Sequence, residues 1–168
     1  MKVVVQVTRN RLPQIKAAFQ AAANQIVEET LDEIETTIKV GMNEPKSGRR
    51  YRRGERWHQA SAPGEMPAVD TGNLANSIQK QPPEATPDGG AAGLIFTNAE
   101  YAPYLEYGTG SSGSGLARPD LPFDEQHNVN AGGMEPRPFM TPAAEIARSA
   151  FVEKFKDLET RMNGLLET

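Results

Sequence analysis

An α+β fold is predicted for this chain: a small, mainly antiparallel sheet packed by two long helices, with long loops between them. Three observations predict it. A 28-residue stretch near the N-terminus and a 26-residue stretch at the C-terminus each carry one apolar stripe at three- and four-residue steps. Between them lie short alternating runs bounded by turn residues. Glycine and proline, 15 and 13 in number, concentrate between residues 41 and 142, which places the loops there.

Taken in order, Val3, Val5 and Val7 alternate with Val4, Gln6 and Thr8, so residues 2–8 read as a short strand. Pro13 suits a first helical turn. From there Ile15, Ala18, Phe19, Ala22, Ile26, Thr30, Leu31, Ile34 and Ile38 trace the first long helix, about 13–40, with Gly41 as its stop. Glu28, Glu29, Asp32, Glu33 and Glu35 crowd its second half, where the helix dipole does not favour acid. They read as a solvated or partner-facing surface. Residues 42–69 show no helical period and form a basic loop. Within it Tyr51, Arg53, Glu55 and Trp57 alternate loosely with Arg52, Gly54 and Arg56, which allows a hairpin.

Asp70 or Thr71 is expected to cap a short helix through Leu74 and Ile78. A strand near Lys80 should be cut short by Pro82, Pro83 and Pro87. Asp88-Gly89-Gly90 is a turn, and residues 91–98 form a second strand. Tyr101 to Tyr107 suits a short helix that Gly108 stops. Residues 108–135 are a Gly/Ser/Pro-rich loop. Thr141 caps the last helix, about 141–166, whose stripe is Ala143, Ile146, Ala147, Ala150, Phe151, Phe155, Leu158, Met162 and Leu165. One domain over residues 1–168 is expected, with no internal repeat.

Composition narrows the function. Hydrophobic residues make up 38% and mean hydropathy is -0.56, low enough to suggest long exposed loops or surfaces completed by neighbours. There is no cysteine, so disulfides and thiolate metal sites are excluded. No segment approaches the ~20 apolar residues of a membrane helix, and the N-terminal stretch is too short for a secretory signal. Net charge is -4, unevenly placed. Lys46, Arg49, Arg50, Arg52, Arg53 and Arg56 face only Glu55 between residues 46 and 58, so that segment carries +5 and the remainder -9.

Catalytic and metal readings find little support. His58 and His127 are the only histidines and neither sits in a ligand motif. His58, Glu65 and Asp70 could meet as a nuclease site, but their spacing carries no signal. Asp70-Thr71-Gly72 occurs once and precedes a helix, unlike the nucleophile triplet of aspartic proteases. Ser111, Ser112 and Ser114 lack a nucleophile elbow. No enzyme, metal or cofactor is expected.

Three strings remain. They are Asp70-Thr71-Gly72-Asn73-Leu74-Ala75-Asn76-Ser77-Ile78, Tyr101-Ala102-Pro103-Tyr104-Leu105-Glu106-Tyr107-Gly108-Thr109 and Arg137-Pro138-Phe139-Met140-Thr141-Pro142-Ala143. In that order, from about Ser47 to Ala144, the chain resembles the tail-component family of long-tailed bacteriophages named after a tenth gene product of a lambda-like coliphage. The resemblance implies a structural virion protein of the neck or tail end, assembled in the host cytoplasm. It implies a homo-oligomeric ring, a hexamer at family level, that serves tail completion and head–tail joining. Its neighbours would be head-closure, tail-terminator or tail-tube proteins, with DNA passing through the ring and no membrane.

The signature residues Asp70, Thr71, Gly72, Leu74, Ile78, Tyr101, Tyr104, Glu106, Tyr107, Gly108, Arg137 and Phe139 are the candidate core and interface set. Tyrosine buries its ring and wets its tip, so Tyr101, Tyr104 and Tyr107 could cover a sheet or complete a subunit contact. Glu106 reads as a hydrogen-bonding or ion-pairing partner. For the basic segment three readings stand: a solvated loop, a phosphate-gripping and base-stacking nucleic-acid site, or a surface docking on an acidic neighbour. The third is preferred, because a passage that gripped DNA tightly would oppose its sliding.

Overall fold

The structure, a computed structural model, describes residues 11–109 and 133–166. The strand expected at residues 2–8 and most of the Gly/Ser/Pro-rich loop lie outside these. The elements are helix α1 (Leu12–Asn43), strands β1 (Arg50–Arg53) and β2 (Arg56–Gln59), helix α2 (Asn73–Ser77), strands β3 (Ile78–Ala85) and β4 (Ala91–Thr97), and helices α3 (Ala102–Tyr107) and α4 (Met140–Leu166). This is the α+β arrangement with two long helices. The strands form two separate antiparallel hairpins, β1–β2 and β3–β4, in place of one sheet.

Helix α1 buries Ala23, Val27, Leu31, Ile34, Ile38, Gly41 and Met42. The stripe predicted for its second half holds at Leu31, Ile34 and Ile38. In the first half the buried positions are Ala23 and Val27, one residue beyond Ala22 and Ile26, because that half is only partly covered. Gly41 does not end the helix, which runs to Asn43. It is buried against Met66, and a side chain there would strike the Met66 sulfur. Its role is close approach, not termination.

The β3–β4 hairpin packs under α1. Its register pairs Ile78 with Thr97 and Gln81 with Leu94, then shifts so that Glu84 pairs with Ala92. Pro82 and Pro83 therefore sit in a bulge. They do not shorten the strand as expected, because a bulge places residues without an N–H where the ladder asks for none. The Asp88-Gly89-Gly90 turn follows, with Gly89 at φ 89°.

Two lysines clasp the layers and a third pairs within α1. Lys80 of β3 pairs with Asp32 and Glu35 of α1, Lys39 with Glu35, and Lys154 of α4 with Glu29. Hydrogen bonding from Lys39 holds the Glu35 carboxyl below its ordinary range, and bonding to Asp32 raises Lys80. Much of the acidic half of α1 is thus neutralised within the chain.

The core is one cluster in which all helices meet β3: Ile34, Ile38 and Met42 of α1, Leu74, Ile78, Ala102, Phe139, and Ala143 and Ala147 of α4. Leu158 is buried further along α4, while Ile146, assigned to the stripe, is exposed. Ile146 sits one position before Ala147 and falls at the margin of the narrow face that alanines press against α1.

Candidate functional site: a signature knot and a two-faced basic hairpin

Helix α3 separates its residues sharply. Ala102 and Glu106, four apart, point inward and are buried. Tyr101, Tyr104 and Tyr107 are 38 to 45% exposed. Each tyrosine is thus partly covered and partly open to solvent, and the interior position belongs to the carboxylate between them.

Glu106 is only 8% exposed. Its carboxylate accepts the N–H groups of Phe139 at 2.8 Å, Met140 at 3.0 Å and Thr141 at 2.8 Å. A helix leaves its first four N–H groups without internal partners. Here the residues that would present them are Phe139, Met140, Thr141 and Pro142, and proline has none. One carboxylate from a distant helix therefore satisfies every available donor at the start of α4, where the helix dipole favours negative charge. Thr141, expected as the cap, is itself capped.

Neighbouring signature residues brace this knot. The Arg137 N–H donates to the Leu105 carbonyl at 2.7 Å, and its guanidinium to the carbonyls of Ser61 and Glu135 at 3.2 and 3.0 Å. Gly108 has φ 76°, a left-handed value, and a Cβ there would lie 2.6 Å from the Met134 carbonyl oxygen. The next residue exchanges hydrogen bonds with Met134 through its N–H and hydroxyl. Gly108 ends α3 as expected, and it also admits the returning chain. Leu74, Ile78 and Phe139 lie in the core.

Asp70 and Thr71 do not cap α2. The position before the helix is Gly72 at φ 79°, with no side-chain cap. Thr71 Oγ1 only accepts a long 3.4 Å bond from Asn73. Asp70 instead turns to the basic hairpin, pairing with Arg53 and lying 3.3 Å from His58 Nδ1. Tertiary partners outbid the local cap because two cationic or donor groups converge on it. Glu65 takes no part, being bound to Ser47 and the Ala62 N–H. Among the described residues no group of three potential metal ligands forms; His127 lies outside them.

The hairpin register pairs Arg50 with Gln59, Tyr51 with His58, Arg52 with Trp57 and Arg53 with Arg56. Directly paired residues share a face. The inner face is thus Tyr51, Arg53, Arg56 and His58, with Tyr51 stacked on His58 at 5.6 Å. The outer face is Arg50, Arg52, Trp57 and Gln59, with the Arg50 guanidinium 5.5 Å from the Trp57 ring. Simple alternation grouped Trp57 with Tyr51 and Arg53. The two-residue turn at Gly54-Glu55 moves it to the opposite face.

Lys46 donates to the Gly41 carbonyl near the end of α1. Among the described residues, Arg53 is the only hairpin arginine paired with a carboxylate. A cleft of about 440 Å³ separates the hairpin from the knot, lined by Tyr51, Arg53, Asp70, Leu74, Tyr101 and Arg137. It brings together residues from all three strings and the basic segment. Asp70→Ala is expected to lower global stability by only about 1 kcal/mol, since the Arg53 pair is exposed. It should speed hydrogen exchange of residues 48–60 several-fold. Unchanged exchange there would show that Asp70 does not anchor the hairpin.

A family model described as "Bacteriophage HK97-gp10, putative tail-component" matches residues 8–108. The match takes in the first string and reaches Gly108 at the end of the second. No curated protein and no solved structure matches the chain.

Proposed function

Because the chain belongs to the HK97-gp10-like family of bacteriophage tail components, we propose that it is a structural subunit of a ring at the phage neck or tail end. The ring completes the tail and joins it to the head. Six copies are the number suited to the sixfold layers of a tail tube, with head-closure, terminator or tube proteins above and below and DNA passing through.

The observation that carries this reading is the division of α3. The Tyr101–Thr109 string spends its one charged residue on internal architecture and leaves three tyrosines partly exposed. Tyrosines with exposed rings can serve a contact, where aromatic anchors concentrate binding energy. Rings follow from head-to-tail contacts whose rotation closes.

Tyr101→Ser with Tyr104→Ser is expected to leave the melting temperature within about 3 °C of the parent, a shift of roughly 1 kcal/mol for a chain of this size. Particle assembly should fall at least tenfold. Normal yields of joined heads and tails would sink the interface assignment. A particle image showing a lone copy with no sister contact would sink the ring.

A second reading draws on the exposed Arg–Trp face: nucleic-acid binding through residues 46–58. It requires salt-sensitive affinity for duplex DNA that is lost on reversing Arg50 and Arg52.

A further inference from the structure

The outer face of the basic hairpin is an exposed knob. Trp57 is 62% exposed, with Arg50 against it and Arg52 directly opposite on the neighbouring strand. An indole in water beside two guanidinium groups that pair with no carboxylate among the described residues, Arg50 lying against the ring and Arg52 Nε donating to the Gly54 carbonyl at 2.9 Å, suits a partner surface with an apolar floor and an acidic margin.

The same molecule carries such a surface elsewhere. Where the end of α1 meets the start of α4, an open groove of about 530 Å³ is lined by Thr37, Val40, Gly41, Glu44, Met66 and Ile146. Val40 and Ile146 are 56% and 57% exposed and line the groove from two different helices. Glu44 is exposed at the rim. Two turns beyond Ile146 on the same face of α4 stands Glu153, and one turn further Asp157. Both are exposed, and neither is in an ion pair with a described residue. Lys46 also lines the groove, but its ammonium is turned onto the Gly41 carbonyl.

Spacings agree as well as chemistry. Arg50 and Arg52 project from one strand face about 6.8 Å apart. Glu153 and Asp157 project from one helix face about 6 Å apart. The charge division agrees too: residues 46–58 carry +5 and the rest of the chain -9.

We propose that the Trp57 face of one copy seats in the Val40–Ile146 groove of the next. Trp57 covers the two aliphatic side chains, while Arg50 and Arg52 meet the carboxylates of α4 and the groove rim. Knob and socket are different patches, so the contact is head-to-tail and each copy offers one of each. The inference rests on the ring reading and specifies which surfaces close it.

The absence of cysteine makes the test direct. Trp57→Cys and Ile146→Cys are made as separate full-length proteins, and their melting curves confirm that both fold. Each is treated with a short bismaleimide under conditions where the parent gives oligomers with an amine cross-linker. The mixture is expected to yield covalent dimers, each variant alone none, and the double variant a ladder. Arg50→Glu with Arg52→Glu should reduce oligomer yield at least tenfold, and Glu153→Arg with Asp157→Arg in the same chain should restore most of it.

Parent oligomers without cross-linking of the mixture would overturn this contact and leave the ring reading standing. Dimers from the Trp57→Cys protein alone would overturn it in favour of a symmetric hairpin contact. Loss of DNA binding in the Arg50→Glu/Arg52→Glu protein with oligomers unchanged would overturn it in favour of nucleic acid. An absence of oligomers both in solution and in particles would remove the ring and this contact together.

Discussion

Glu106→Gln is expected to destabilise the protein by about 3–5 kcal/mol. The carboxylate accepts from three N–H groups, one of them fully buried. Each buried donor left without a partner costs about 1–3 kcal/mol. An amide keeps one acceptor oxygen but presents an NH₂ to donors at the other position. It also removes the negative charge at the positive end of a 27-residue helix. The costs are not additive, since the start of α4 can fray toward water. Measured by urea denaturation, the loss should exceed that of Asp70→Ala several-fold. A Gln variant within about 0.5 kcal/mol of the parent would show that the start of α4 is satisfied by other means. Glu106→Ala should be at least as damaging, and neither variant should assemble.

Phe139→Ala should cost a similar amount, about 3–5 kcal/mol, by a different mechanism. Phe139 is 1% exposed and sits in the cluster shared by α1, α2, β3, α3 and α4. Removing a buried ring forfeits its transfer free energy and leaves a cavity that close-packed neighbours fill only in part. Its neighbours Ala102, Ala143 and Ala147 are too small to close the gap. Phe139→Leu should recover more than half of the loss, because it restores most of the volume. If Phe139→Leu were as damaging as Phe139→Ala, ring shape would be controlling the site, and the cavity account would fail. Both variants keep the surface tyrosines, so any assembly defect should track the lost stability.

These two residues mark the limit of what the chain alone discloses. Phe139 could be assigned to the interior from its place in an ordered string beside a helix start. Glu106 could be recognised as a partner of something, because an acid amid tyrosines without a base nearby has no catalytic use. Its target could not be read. The three N–H groups it satisfies are 33 to 35 residues away and belong to the backbone, which carries no side-chain signal. The only local hint was Pro142, which removes one of the four donors.

The hairpin shows the same boundary. Its existence was legible in the alternation around Tyr51 and Trp57. Its sidedness was not, since a two-residue turn reverses the parity of every residue after it. Local propensity favours Asp70 or Thr71 as a cap, a use that neither has in the structure. Local rules weigh a weak bond to a nearby N–H and cannot see an arginine and a histidine brought up by a hairpin 12 to 17 residues earlier.

By itself the sequence determined the two long helices, the β3–β4 pair with its Asp88-Gly89-Gly90 turn, the short α3 stopped at Gly108 and the uneven charge. Each is set by interactions within a few residues: periodic burial, fixed proline geometry, or the freedom of glycine at positive φ. Tertiary structure alone decided that Glu106 caps α4, that Asp70 anchors the hairpin, that Gly41 admits Met66, and that Trp57 and the Val40–Ile146 groove are left exposed. Those outcomes depend on which distant donors, rings and carbonyls arrive at the same point. Hydrogen bonds and packing act over a few ångströms in space, whatever the separation along the chain.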